Sequence, residues 1–158
     1  AETAMREGIA MNIARGFHHA VYASGIGYCP INGLALLALR APQRRIMVID
    51  CDEHGGNGTE EYAARLPNLY NVSIFGTRFG CNGGLRSWPF QVRVREEGFE
   101  RYREALRAAE DLVERHAPDL LVYQAGADCH EHDPKSLSRM TTRQLFQRDL
   151  AVFRMARE

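Results

Sequence analysis

The amino-acid sequence predicts a layered α/β fold with a mostly parallel sheet. Three observations carry this expectation: short apolar runs of strand length, stretches of helical periodicity between them, and the alternation of the two along the chain. Residues 8–14 and 45–49 are the first two apolar runs, the second containing Ile46-Met47-Val48-Ile49, and each gives way to polar residues. Leu69–Phe75 and residues 120–123 have the same character. Near-continuous apolar runs of this length suit strands buried on both faces, as in a parallel sheet. Residues 96–117 place Phe99, Tyr102, Leu106, Ala109 and Val113 at steps of three and four, with charged residues on the other face, which predicts an amphipathic helix. Pro118 ends it. Residues 34–39 predict a shorter helix between Pro30 and Pro42, with Asn32 available as its cap, and residues 141–157 a final helix. Strand and helix in alternation imply right-handed crossovers. Residues 76–95, rich in Gly and Arg, read as an irregular loop. No repeat or linker interrupts the pattern, so residues 1–158 read as one domain.

The bulk properties exclude more than they identify. At 158 residues folding can bury about 70% of the surface of the unfolded chain, enough for a proper core. Twenty Lys and Arg balance twenty Asp and Glu, so no long-range field draws the molecule to phosphate backbones or anionic lipid. Nucleic acid and membrane are therefore not expected as partners. The first residues lack the pattern of a signal peptide, and no apolar stretch approaches the length of a membrane span, so a cytoplasmic location is expected. Cys29, Cys51, Cys81 and Cys129 form no Cys-x-x-Cys pair and read as reduced, mostly inert thiols.

Chemistry concentrates in residues 48–59, where an apolar strand runs into Asp50-x-Asp52-x-His54 and then a Gly-rich turn. While the backbone stays extended, side chains two apart point the same way, so Asp50, Asp52 and His54 can converge. Two carboxylates crowded beside an imidazole repel each other unless a cation neutralises them. A solvated polar turn is the competing reading of a bare Asp-x-Asp; the added His and the position after a buried strand argue against it. A second buried strand ends on Gly126-Ala127-Asp128. Ligands of open α/β sheets collect outside the carboxyl ends of the strands, where Asp128 can meet Asp52 and His54. Two oxygens and one nitrogen leave a tetrahedral zinc one open position, the mark of a catalytic site. His18 and His19 are a fortuitous surface pair if taken alone. Beside an open zinc site they have work, because amide hydrolysis needs a base for the water proton and an acid for the leaving amine.

These residues resemble the histone deacetylase family, with its bacterial acetylpolyamine and acetoin-utilisation deacetylases. The resemblance runs from about Gly8 to Thr142, through Gly-x-His-His-Ala at 16–20, Gly-Tyr-Cys-x-x-Asn at 27–32, the Asp-x-Asp-x-His stretch with Gly-Asn-Gly-Thr at 50–59, and Ala-Gly-Ala-Asp with a following Asp-Pro at 125–134. It implies a three-layer α/β/α fold of the arginase/deacetylase kind. It also implies a zinc ion on Asp52, His54 and Asp128, with Fe2+ an alternative occupant. His19 becomes the general base oriented by Asn57, and His18 is steadied by Asp50. Gly27 and Tyr28 line an acyl-lysine channel, and a structural potassium ion draws on Asp50 and Ser73 with backbone carbonyls. The implied activity removes an acetyl or other acyl group from an acetylated amine such as acetyl-lysine or acetylpolyamine.

The departures define the alternatives. Gly55 stands where the family usually has a second His, a neighbour of the ligand rather than a ligand. Relatives carry a C-terminal Gly-rich loop ending in a Tyr that polarises the substrate carbonyl, and an N-terminal portion; the sequence reads as the central part of the domain, shortened at both ends. A catalytically weak or silent metal-binding module that recognises acyl groups is the runner-up. An arginase-like hydrolase with paired metals is third, with His130, His132 and Asp133 as candidate extra ligands, although these read more simply as a polar loop. Trp88 and Phe79 fit either a channel wall or ordinary packing. Cys51 and Cys129, beside the ligands, read as small core residues. A shortened sheet would expose strand edges that a second copy could cover, so a homo-oligomer is an expectation too.

Overall fold

The computed structural model describes residues 2–13, 17–77 and 80–156. Its elements in order are α1 (Glu2–Glu7), α2 (Gly33–Arg40), β1 (Ile46–Asp50), α3 (Asn57–Arg65), β2 (Leu69–Phe75), β3 (Ser87–Gln91), α4 (Val94–Glu97), α5 (Phe99–His116), β4 (Leu120–Gln124) and α6 (Thr142–Met155). The four strands make one sheet in the order β3-β2-β1-β4, with every pair parallel.

Burial of both sheet faces explains the continuous apolar runs. In β1, Met47 and Ile49 join a core with Val72 and Ile74 of β2, with Tyr102, Leu106 and Ala109 of α5, and with Val152 of α6. Ile46 and Val48, turned the other way by strand alternation, pack with Leu34, Ala35 and Ala38 of α2 and Ala63 of α3. The result is the expected three-layer α/β/α arrangement, with β1 buried at every position. Among the described residues no helix is long and apolar enough to cross a membrane.

The caps explain where the helices begin and end. The Asn32 carboxamide oxygen accepts from the amides of Leu34 and Ala35 at 3.1 and 2.9 Å, satisfying first-turn donors of α2. Its Nδ2 donates to the Ala20 carbonyl at 3.2 Å, so one side chain starts a helix and holds the His18–His19 segment. Helix α6 starts on a capping box between Thr141 and Gln144. Helix α5 ends at Ala117 in the left-handed region, φ 42°, just before Pro118.

Several expectations need correction. Residues 8–13 form no strand, and Ile9, Met11 and Ile13 are all exposed; Ala14 lies outside the described residues. β1 already has a parallel neighbour on each side, so this run finds no edge there. The expected loop at 76–95 contains β3 and the start of α4 instead. Pro89 lies within β3, as an edge strand permits. The helix expected from residue 96 begins at Phe99, because Gly98 at φ 85° separates α4 from α5. The Gly-rich turn after His54 is the start of α3. Trp88 stacks near Tyr70 and His116, with ring centroids 6.4 and 5.0 Å away, and is ordinary packing. Phe79 lies outside the described residues.

Candidate metal centre

β1 ends at Asp50, and the three residues expected to converge part company there. Asp50 turns inward and is fully buried; its Oδ2 lies 2.6 Å from His18 Nδ1. Asp52 and His54 sit on the bend that follows. This bend is held by its own side chains: the Asp52 amide donates to Asp50 Oδ1 at 3.2 Å, and the His54 amide to Asp52 Oδ1 at 2.9 Å. Such local bonds are the preferred use of Asp outside regular structure.

Asp128 arrives from β4, the neighbouring strand. His54 Nδ1 lies 3.0 Å from Asp128 Oδ2 and 3.2 Å from Asp52 Oδ1. One donor atom from each of Asp52, His54 and Asp128 falls within 4.8 Å of the others, the only group of three or more potential ligands among the described residues. All three are half-buried, so solvent reaches the cluster. Asp128 Oδ1 accepts from the Glu53 amide at 3.0 Å, which leaves Oδ2 toward the imidazole.

The electrostatics show a negative well. The hydrogen bonds that the Asp128 and Asp52 carboxylates accept from it outweigh burial and push the His54 imidazole up to about 10. Burial would raise Asp52, but the His54 bond and the charge of His18 hold it below the usual carboxylate range. A proton on His54 thus fills the place of positive charge among two carboxylates, and a divalent cation fits the same oxygen and nitrogen donors.

The two adjacent histidines differ through their partners. Burial works against a charged His18, yet Asp50 beside it prevails and pushes the ring up to about 9. Burial raises Asp50 against the opposing charge and hydrogen bond of His18. His19 is lowered, first by burial and then by the charge of His18. His19 Nδ1 lies 2.7 Å from Asn57 Oδ1. That oxygen only accepts, so Nδ1 carries the hydrogen and Nε2 the lone pair of the neutral ring. The His19 ring centroid is 4.0 Å from that of His18 and 5.8 Å from that of His54.

Of the other expected residues, Gly27 touches this group and Tyr28 stands outside it. Gly27 has φ 55°, and a Cβ there would lie 2.6 Å from His19 Cδ2, so only Gly fits against the ring. Tyr28 has φ 61° and is 85% exposed, a side chain that projects from the surface beside Gly27. Asp50 and Ser73 are register partners across β1 and β2, and both close around Gly56, whose amide donates to Ser73 Oγ at 3.1 Å. The backbone of Gly80 and Cys81 fills the space beside Gly55, 2.5 and 2.8 Å from where a Cβ would stand, so the second His of relatives has no room here. His130 bonds to Thr142 Oγ1 at 3.0 Å and His132 projects into solvent; with Asp133 they form a polar loop that adds no donor to the cluster. The four cysteines are free, and burial pushes the thiols of Cys51 up to about 11 and Cys129 up to about 12.

Two residues escaped the sequence reading. Glu53, inside the motif, is buried with Oε1 accepting from the amides of Leu137 and Ser138 at 3.1 and 3.3 Å. Arg148, on α6, is buried and bonds to the backbone of Cys51 and Gly126 behind this cluster. Its signal lay in the sequence: Leu145, Arg148, Val152 and Met155 share one helical stripe, with a cation in an apolar row.

The comparisons with known proteins agree with this geometry. The family model described as histone deacetylase domain matches residues 1–158, and the chain belongs to that family. Histone deacetylase 2 of Arabidopsis thaliana is 30% identical over 177 residues, covering 100% of this chain and 43% of that protein. Acetylpolyamine amidohydrolase of Burkholderia pseudomallei is 37% identical over 145 residues, covering 79% of this chain and 41% of the relative. A crystal structure of the acetylpolyamine aminohydrolase from Burkholderia pseudomallei superposes with a TM-score of 0.69 at 28% identity, covering 90% of this chain and 47% of that one. The histone deacetylase homologue from Aquifex aeolicus gives 0.78 at 21% identity over 99% of this chain and 47% of that one, a likeness of fold. The chain thus spans about half the length, or less, of these relatives. The family implies a metal ion, and Asp52, His54 and Asp128 form a donor set that fits one.

Proposed function

We propose that the chain holds one zinc ion on Asp52, His54 and Asp128 and uses it to hydrolyse the amide of an acetylated amine, such as acetyl-lysine or an acetylpolyamine. The observation that carries this reading is the meeting of three donors at the carboxyl ends of two adjacent parallel strands, with His19 alongside. When bound, such an ion polarises an acyl oxygen and lowers the pKa of water. Fe2+ suits the same two oxygens and one nitrogen.

The chain's own residues supply the proton handling. His19, with Nδ1–H directed at Asn57, presents Nε2 as the base that takes a proton from water. The bond to Asp50 fixes the His18 ring beside Asp52, where His18 Nε2 lies 3.8 Å from Asp52 Oδ1. Gly27 lets the backbone approach His19, and Tyr28 flanks the route by which an acyl chain enters. Asp50 and Ser73, with nearby carbonyls, are the proposed holders of a structural potassium ion behind the site.

Metal content and acetate release test the reading together. Elemental analysis after zinc loading is expected to give one zinc per chain. Acetate release from an acetyl-lysine peptide or N-acetylspermidine should stop on chelation and return with zinc. Two metals per chain, or none, would overturn the ligand assignment; one zinc with no acetate release would leave a metal-binding module in place of a hydrolase.

A further inference from the structure

Arg148 is 2% exposed, and a buried guanidinium must find partners for its donors. Its Nη1 donates to the carbonyl oxygens of Cys51 at 3.0 Å and Gly126 at 2.7 Å, and lies 3.1 Å from Cys129 Sγ. The other side of the fork is held by Asp149: Nε and Nη2 lie 2.8 and 2.7 Å from Asp149 Oδ1, which also accepts from the Tyr123 hydroxyl at 2.6 Å.

The position of the two carbonyls gives these bonds their meaning. Cys51 directly precedes Asp52, and Gly126 stands two residues before Asp128. The β1/β4 ladder closes with the Cys51 amide donating to the Gln124 carbonyl at 3.0 Å. Beyond that rung both chains leave the sheet, and both carry a carboxylate of the candidate metal centre. One nitrogen of Arg148 bonds to both segments, so it serves as the next rung where the sheet no longer supplies one. The gap it spans is already tight, for a Cβ at Gly126 would lie 2.4 Å from Asp52 Oδ2.

We infer that Arg148 is a positioning residue for the metal, setting the separation of the Asp52 and Asp128 carboxylates by holding the carbonyls of Cys51 and Gly126 together. This rests on the reading of Asp52, His54 and Asp128 as ligands. An apolar side chain could fill the volume of Arg148, but it would leave the two carbonyls only the weak bonds from Cys129 Sγ, at 4.0 Å to Cys51 and 3.5 Å to Gly126, in place of a charged donor shared between the two segments.

The test uses the whole chain, with Zn2+ affinity measured against a chromophoric chelator and the site geometry read from the visible absorption of bound Co2+. Arg148→Met is expected to weaken Zn2+ binding roughly 10- to 100-fold, the usual effect of losing an outer partner of a metal site, and to change the Co2+ bands. Arg148→Lys, which keeps the charge without the fork, should fall between Met and the parent. Asp149→Asn, which loosens the fork from a half-exposed position, should weaken binding least. Val152→Ala is the control: it lies on the same helix, 1% exposed, and should lower the denaturation midpoint while leaving both metal readouts at parental values. Should Arg148→Met fail to fold, Arg148→Lys and Asp149→Asn decide. Parental affinity and an unaltered Co2+ spectrum in the folded Arg148 variants would overturn the inference, as would equal metal loss in Val152→Ala. Failure of the parent chain to bind either ion would instead overturn the ligand assignment beneath it.

Discussion

The segments that follow β1 and β4 meet at one site but are built in different ways. The β1 segment leaves a fully buried central strand, caps its own bend with Asp50 and Asp52, and is tied to the neighbouring β2 where Ser73 takes the Gly56 amide and the Glu53 carbonyl accepts from the amides of Gly76 and Thr77 at 3.1 Å each. The β4 segment leaves a half-buried edge strand and brings one donor, Asp128. Its links to the rest of the site are borrowed, from the Glu53 amide in front and from Arg148 behind. Local side-chain bonds can shape a loop wherever it sits, whereas a loop lacking them takes its position from distant partners. The β1 segment therefore owes its bend to its own side chains, and the β4 segment owes its place to partners elsewhere.

The largest expected effect ignores this difference. If Asp52 and Asp128 are ligands as proposed, Asp52→Ala and Asp128→Ala each remove an electron pair from the ion, and each should weaken Zn2+ by more than about 100-fold, beyond the cost of losing an outer partner. Equilibrium dialysis against zinc checks this. In the proposed roles His19 handles protons only, so His19→Ala should keep zinc while losing hydrolysis. Equal zinc loss in all three variants would show that His19 is a ligand; retention of zinc by Asp128→Ala would show that the β1 segment suffices alone.

A smaller effect is expected where the two segments touch. Gly126 lies against Asp52, and the methyl of Gly126→Ala must force them apart at a cost of about 1–3 kcal/mol, the usual range for overpacking. Chemical denaturation should register the loss, and zinc affinity should fall with it, because the carboxylates separate. A variant with parental stability and parental zinc affinity would mean that the contact is slack and the comparison overdrawn.

What the sequence revealed depends on whether a feature leaves a local pattern. β1, β2, β4 and α5 were legible because buried parallel strands and amphipathic helices each impose a periodicity on their own residues. Asp52, His54, Asp128, His18, His19 and Asn57 stood in short motifs, and the fold brings all six into one neighbourhood. β3 was hidden by Pro89 and by mixed burial, α3 by glycines that read as a turn. The run at residues 8–14 misled because strand pattern alone does not supply a pairing edge. Glu53 and Arg148 were missed for a further reason. The helical stripe marks Arg148 as buried, but the partners that give each charge its place include residues 84 positions from Glu53 and 97 from Arg148, a separation that local pattern does not encode.

Glu53 offers the finest test of the comparison, because its backbone and its side chain serve different segments. Its amide holds Asp128, while its carboxylate, 1% exposed, binds the loop before α6 through the amides of Leu137 and Ser138, with Ser136 Oγ 3.5 Å from Oε2. Only acceptors are needed at Oε1, and a Gln retains one there. Ser136 can in turn accept from the new amide, since a hydroxyl rotates to suit. Glu53→Gln should therefore cost less than about 1 kcal/mol, whereas Glu53→Ala strands the two amides and opens a cavity, for about 2–4 kcal/mol in all. Zinc affinity in the Gln variant should stay close to parental, because the bond from residue 53 to Asp128 is made by the backbone. Urea denaturation and zinc competition on both variants check these values. A Gln variant as unstable as the Ala variant would show that the buried negative charge itself matters, and a Gln variant with weakened zinc would show that the loop before α6 also positions Asp128.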